Sequence, residues 1–496
     1  MRIWRTPLAA LGFGLALLAL LLAARLLASS ITAAHLLHHS DHLLATLQSG
    51  EPPWHWEPRV PDDLIAGRAF GAADLAAGRN GLRITSRDGS PYQIGLRLAQ
   101  PIDLAHWPRL VIRGHAGAPG MLGLIRQTED QPACLAPDAV PIPAGNVALI
   151  LDLRTLAWQS PCGPPGVTDM LRLQPRMPAG ASLRLDRIAL RSPVAPLHSP
   201  LPAMAAPTEP SQVQRWAANH RDLPATPVLR LPSSASAETL LALRDQLRRH
   251  WPAALFVVDG HRLRPASGQS AAPAAFAWAC SALYLAGLLW LGLRPRQGRA
   301  AGWTELVALL LGPLWLVAGL QWGSAHPQPA ALAFAAALLY AAQAEWRAQP
   351  QGWRWLGPWR ATWPALWPLP LGLALVALLG HDWHLPRLGA ATTYLLWAAL
   401  QQWLMLAVVM RRLERWVAAP GVAVLLTAVA FALMHTPNGA LMQLCLLAEC
   451  WWAWCFLRTR ALLPIAMAHA ACALLVQAGL VGTVLRSMEV SARFFL

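Results

Sequence analysis

Lysine is absent from this 496-residue chain, so every basic side chain is Arg or His, and Tyr is scarce at four residues. Charge is also thin, at 13% of residues, about half of what a soluble globular domain carries. With 55% hydrophobic residues and 25 Trp, that shortage excludes a single soluble core and points to a membrane protein. The formal net charge of +15 would suit nucleic acid, but the Arg residues stand at the ends of apolar runs: Arg294, Arg296 and Arg299, then Arg347, Arg354 and Arg360, then Arg411, Arg412 and Arg415. Such placement reads as topology, and no nucleic-acid partner is expected. Cysteine is sparse too, at seven, which excludes a disulfide-dense scaffold. Cys445, Cys450 and Cys455 recur at a five-residue step that spreads them around a helix, so no metal site is expected from them.

What is present is a series of apolar segments. Residues 8–28 follow Arg2 and Arg5 with no evident cleavage site, and read as an uncleaved signal anchor (domain 1–30) with its N-terminus inside and Arg25 snorkelling at the far end. Further segments near 273–293, 302–322, 328–345, 364–380, 388–410, 417–435, 439–457 and 461–480 bring the expected number of membrane helices to about nine. Alternating their direction puts the Arg-rich loops at 294–299, 346–360, 411–415 and 458–460 on the cytoplasmic side. Only the tail with Arg486 and Arg493 departs from this rule. The expected architecture is a polytopic α-helical bundle in a bacterial inner membrane, with a periplasmic insertion. Residues 273–363 hold three helices and a cytoplasmic loop, and 364–482 a second membrane domain. Glu305 and Glu345, near the ends of apolar runs, are read as exposed at the interface.

The insertion divides in two. Between 50 and 195, short alternating stretches (82–85, 92–98, 110–115, 147–153, 171–176 and 183–190) predict a jelly-roll-like β-sandwich. Its pattern resembles carbohydrate-binding modules, which makes a periplasmic glycan a possible partner; Trp54, Trp56, Trp107 and Trp158 are candidates to stack on sugar, with burial as the preferred reading. Cys134 and Cys162, both in Pro-rich loops of this oxidising compartment, are a candidate disulfide. A Pro- and Ala-rich linker from 193 to 207 precedes a small α/β unit (205–268): strand 227–231, helix 236–250, strand 254–258. His35, His38, His39 and His42 fall at helical spacing just outside the first helix. A polar juxtamembrane helix is preferred there over a metal or pH-sensing site.

The last hundred residues carry the motifs. Gln401-Gln402-Trp403-Leu404-Met405-Leu406, then Phe431-Ala432-Leu433-Met434-His435-Thr436-Pro437-Asn438, then Phe456-Leu457-Arg458-Thr459 leading to Pro464 and His469, resemble the CPBP family of intramembrane peptidases, which includes the CAAX prenyl endopeptidases and bacteriocin-processing proteins. The resemblance implies peptide hydrolysis without metal or other cofactor, by a paired Glu motif followed by Arg, an F-x-x-x-H helix, and a last helix with His and Asn. It makes His435 the partner of the catalytic Glu and His469 the oxyanion-stabilising His. Four family positions differ: Gln401 and Gln402 stand for the Glu pair, Leu406 for the Arg, and Cys472 and Ala473 occupy the place of the Asn. An amide cannot serve as a general base. Glu449 lies at membrane depth outside the motifs and is expected to be buried and paired, facing His435 or His469.

The leading reading is therefore a non-hydrolytic relative that binds a membrane-embedded or lipidated polypeptide through Gln401, Gln402, Asn438 and the two His. An active endopeptidase using His435, His469 and a relocated carboxylate, Glu449, is the alternative; an envelope glycan-binding protein is a second one.

Overall fold

The computed structural model describes residues 7–98, 100–128, 131–159, 162–193, 202–264, 272–294, 298–324, 328–347, 352–358, 363–380 and 388–496. Arg296, Arg360, Arg387 and residues 194–201 of the expected linker lie outside them. The chain divides into two compact units: residues 1–33, 234–241 and 268–496, and residues 34–233 with 242–267.

The second unit is β-rich. Its larger sheet takes the order β2 (Ala73–Ala76), β3 (Leu82–Ser86), β12 (Ser182–Arg191), β6 (Arg109–Ala116), β9 (Gly145–Asp152), with β1 (Trp54–Trp56) also on β12. A four-stranded sheet runs β4 (Ile94–Gly95), β11 (Met170–Arg176), β7 (Gly120–Gln127), β8 (Cys134–Ile142), and β5 (Ile102–Asp103) pairs with β10 (Val167–Thr168). All these pairings are antiparallel. The core follows from side-chain alternation, with one break that β12 explains. Its large buried residues step Leu183, Leu185, then Ile188, Leu190, with the small Ala189 also buried, and the shift falls at a bulge between Leu185 and Arg187. A bulge adds one residue and returns the period-two pattern to the same face. Gly81 closes on this bulge: a Cβ there would lie 2.3 Å from the Leu185 carbonyl oxygen.

Strands β7 and β8 escape the sequence reading. The first is a near-continuous apolar run without alternation, and the second holds Pro137 and Pro141, which read as loop. Proline is tolerated because β8 is the edge of its sheet, where a missing donor breaks no ladder. Cys134 thus begins a strand instead of sitting in a loop, and it is disulfide-bonded to Cys162 with Cα atoms 5.7 Å apart. Trp54 and Trp107 are buried edge-on to each other, centroids 4.9 Å apart. The half-buried Trp56 and Trp158 donate to the carbonyls of Arg97 and Leu153 at 2.7 and 3.0 Å. Each indole therefore has a packing role.

The α/β part forms a parallel three-stranded sheet, β13 (Met204–Ala205), β14 (Val228–Leu231), β15 (Leu255–Val258); β13 falls inside the stretch expected to be linker. The helix α1 (Pro7–Gln48) runs 42 residues. Leu43, Leu44 and Leu47 at its end join the core of the β-rich part. A short α2 (Val213–Ala218) and α3 (Ala237–Arg248) complete the inserted segment.

The other unit is helical: α4 (Ala272–Leu293), α5 (Arg299–Val317), α6 (Gln328–Arg347), α7 (Pro368–Leu379), α8 (Leu388–Gln402), a π-helical stretch Trp403–Met410, α9 (Arg411–Trp416), α10 (Pro420–Leu433), α11 (Gly439–Thr459) and α12 (Leu463–Gly479). Among the described residues five helices are long and apolar enough to cross a membrane: Pro7–Gln48, Ala275–Leu293, Ala300–Val317, Ala391–Trp416 and Gly439–Thr459. Trp363–Leu379, Pro420–Leu433 and Leu463–Gly479 are shorter apolar helices. At 1.5 Å per residue, the 14 residues of α10 reach about 21 Å, short of a hydrocarbon core of about 30 Å. The α6 segment carries Gln328, Gln343, Glu345 and Arg347, which lower its hydropathy. The chain is a multi-pass membrane protein.

Glu345 corrects an expectation. It is buried, not exposed at an interface, and its two oxygens accept from Arg412 at 2.8 Å and Arg411 at 3.2 Å. Arg412 also donates to Glu305 at 3.0 and 3.1 Å. Burial of a carboxylate is tolerable only where opposite charge and hydrogen bonds replace its water, and two consecutive Arg supply both.

Candidate functional site

The chain delivers the site residues from four places. Gln401 and Gln402 end α8, where the winding passes from α to π; π segments are rare and recur at functional sites. His435 follows the end of α10, and its Nδ1 lies 2.8 Å from the Phe431 carbonyl oxygen, one turn back. His469 sits in the second turn of α12, and Glu449 is mid-way along α11.

These side chains fall into two layers. Gln401, His435 and His469 line a cavity of about 360 Å³ with Tyr394, Phe431 and Trp452. Gln402 and Glu449 are not among its lining residues, and both are fully buried. The Gln402 Nε2 donates to Glu449 Oε2 at 2.8 Å and lies 3.4 Å from His469 Nδ1. One amide nitrogen thus stands between the carboxyl group and the ring. The remaining oxygens, Gln402 Oε1 and Glu449 Oε1, have no hydrogen-bond partner among the described residues. Aromatic rings fix the imidazoles: Phe431 lies 4.8 Å from the His435 ring and 5.5 Å from that of His469, and Trp452 lies 5.2 Å from His469.

Asn438 has a structural task that its motif position does not announce. Its Oδ1 accepts from the Leu441 N–H at 3.2 Å as the N-cap of α11, while its Nδ2 donates to the carbonyls of Ser487 and Glu489 at 2.7 and 3.2 Å. The tail it holds returns to the cavity, whose lining includes Glu489 and Arg493, an ion pair 3.7 Å apart. Asn438→Ala removes the cap and both tail bonds. It should cost about 1–2 kcal/mol by the loss of the cap alone and open residues 481–496 to limited proteolysis. An unchanged digestion pattern would contradict that role for Asn438.

Sequence reasoning did not find Tyr394 or Trp452, since an aromatic residue on an apolar helix carries no signal of which side it faces. Nor did it find the tail, which lies beyond the motifs. Among the described residues no group of three or more His, Cys, Asp or Glu could hold a metal ion.

Gln401 at the end of α8, His435 after α10 and His469 on α12 thus converge on one cavity. Residues 353–475 match the type II CAAX prenyl endopeptidase Rce1-like family. The Rce1-like segment is about a quarter of the chain and contains Gln401, Gln402, His435, Glu449 and His469. No curated protein matches the chain. It is similar to two solved structures. One is a family 11 carbohydrate-binding module from Clostridium thermocellum in complex with a β-1,3-1,4-mixed-linked tetrasaccharide, at 10% identity and TM-score 0.20, over 26% of this chain and 88% of that one. The other is a family 30 carbohydrate-binding module of a cellulosomal cellulase of Clostridium thermocellum, at 15% identity and TM-score 0.19, over 29% and 94%. Neither likeness bears on what this chain binds.

Proposed function

We propose that the Rce1-like cavity binds a membrane-embedded or lipidated polypeptide without hydrolysing it. The carrying observation is the division into layers: the motif position that faces the cavity is an amide, Gln401, and the buried carboxyl group of Glu449 stands behind the wall, held by Gln402. A general base has to reach its water directly or through one more water, and a carboxyl group outside the cavity lining does not. Glu489 does line the cavity, but it belongs to the tail, is half-exposed and faces Arg493. The predominantly apolar, aromatic lining suits a hydrophobic segment or an isoprenoid chain. In this reading the protein sits in a bacterial inner membrane with about nine crossings, and the β-rich unit is periplasmic.

One contact favours a second reading, in which Glu449 acts through His469: the shared Gln402 Nε2 joins the two. The probe that separates the readings is a farnesylated peptide ending in a CAAX sequence, added to the full-length protein in nanodiscs and followed by mass spectrometry. Saturable retention of intact peptide, weakened by Tyr394→Ala, is the expected result. Release of a shortened peptide that stops with His469→Ala would establish the second reading, and the absence of any retention would remove the proposed ligand class.

A further inference from the structure

The basic residues of α3 hold an imbalance that nothing in the Rce1-like site uses. Arg244 and Arg248, four residues apart and so on one helix face, are each only 6% exposed. Arg244 has a carboxylate, Asp245 Oδ1 at 2.7 Å. Arg248 has none within ion-pair distance among the described residues. Its Nη2 lies 3.2 Å from His39 Nδ1, its guanidinium carbon sits 5.5 Å from the centre of the Phe256 ring, and its Nε is buried without a hydrogen-bond partner among the described residues. Other acids on the neighbouring elements are engaged: Asp41 accepts from the Arg264 N–H at 2.7 Å, and Asp259 lies 4.0 Å from Arg230. Burial pushes the Arg248 guanidinium down to about 9, and Arg244 adds to that more than Asp245 relieves it. Guanidinium remains charged at neutral pH, so a buried positive charge stands without its counter-charge, which is costly unless an anion completes it.

We propose that Arg244, Arg248 and His39 form a binding site for a phosphate-type dianion. The donor set matches that chemistry: two planar forks whose N–H groups suit the oxygens of a phosphate, and an imidazole whose Nδ1, facing the Arg248 N–H, accepts, leaving its Nε2 proton free to donate. His35, one turn before His39 on α1, borders the same cluster. The ligand is a phosphate monoester or inorganic phosphate in solution, or the headgroup of an anionic lipid, and the two sources share this recognition.

The test uses the full-length protein in a phosphate-free maltoside detergent. Inorganic phosphate should raise its melting temperature saturably above a chloride control of equal ionic strength. Arg248→Met, which keeps the apolar stem against Phe256, should raise the half-saturating concentration about tenfold or more. Arg244→Met is the second variant should Arg248→Met not fold, and ³¹P line broadening on the wild type gives a reading independent of both. Reconstitution in nanodiscs with phosphatidic acid, against phosphatidylcholine alone, is the lipid arm. A response to phosphate only identifies a soluble ligand, and one to phosphatidic acid only identifies a headgroup. No response beyond chloride in either arm, or an equal response in wild type and variant, overturns the site.

Discussion

Arg412→Met is expected to destabilise the helical unit by about 1.5–3 kcal/mol, the cost of losing the charged hydrogen bonds that Arg412 makes to two carboxylates. Arg412 is the shared member of the network: it bonds Glu345 and Glu305, from two helices, and the Val408 carbonyl at 3.0 Å. Arg411 still reaches the buried Glu345 after the change, and Glu305, which loses both Arg412 bonds, is 29% exposed and open to water. The loss is read as an earlier midpoint on titration of mixed micelles with sodium dodecyl sulfate. Adding Glu305→Met and Glu345→Met to the variant should recover much of it, because an apolar replacement of an entire buried network is often neutral. If the single variant is as stable as wild type, the network carries no weight and the placement of the π-helical stretch depends on apolar packing alone.

Gln402→Leu has the next largest expected effect. Among the described residues its Nε2 is the one donor to Glu449, and Glu449 Oε1 already lacks a partner. The substitution therefore leaves a fully buried carboxyl group with no protein hydrogen bond, at a cost of about 1–3 kcal/mol or more. The diagnostic is the double variant. Gln402→Leu with Glu449→Leu removes both partners and should return close to wild-type stability, since two apolar groups in contact leave nothing unsatisfied. A double variant less stable than either single one would show that Glu449 has a partner other than Gln402.

The residues that carried the family resemblance were legible because they are local patterns: Phe431 to Asn438 is contiguous, and His469 follows at a fixed distance. The layering was not. Gln401 and Gln402 are adjacent in sequence, yet one faces the cavity and the other the buried Glu449, a distinction set by the winding at the start of the π-helical stretch, which has no mark in the sequence. From the sequence Glu305 and Glu345 read alike, each near the end of an apolar run, yet only Glu345 is buried; the Arg412 that joins them lies 107 and 67 residues away. In the β-rich unit, alternation located β6, β9, β11 and β12, while β8 was hidden by two prolines that only an edge strand admits. The bulge in β12 was visible in retrospect as a break in period, but a break alone does not distinguish a bulge from a strand end.

The central claim is that the retained cavity binds without cutting. The most direct measurement compares the termini of membrane and periplasmic proteins, by mass spectrometry, in cells with the wild-type chain, with a deletion, and with His469→Ala at equal expression. The account predicts the same set of termini in all three. Termini that appear only with the wild type, and vanish in both the deletion and His469→Ala, would contradict it and make the chain a peptidase with a relocated base.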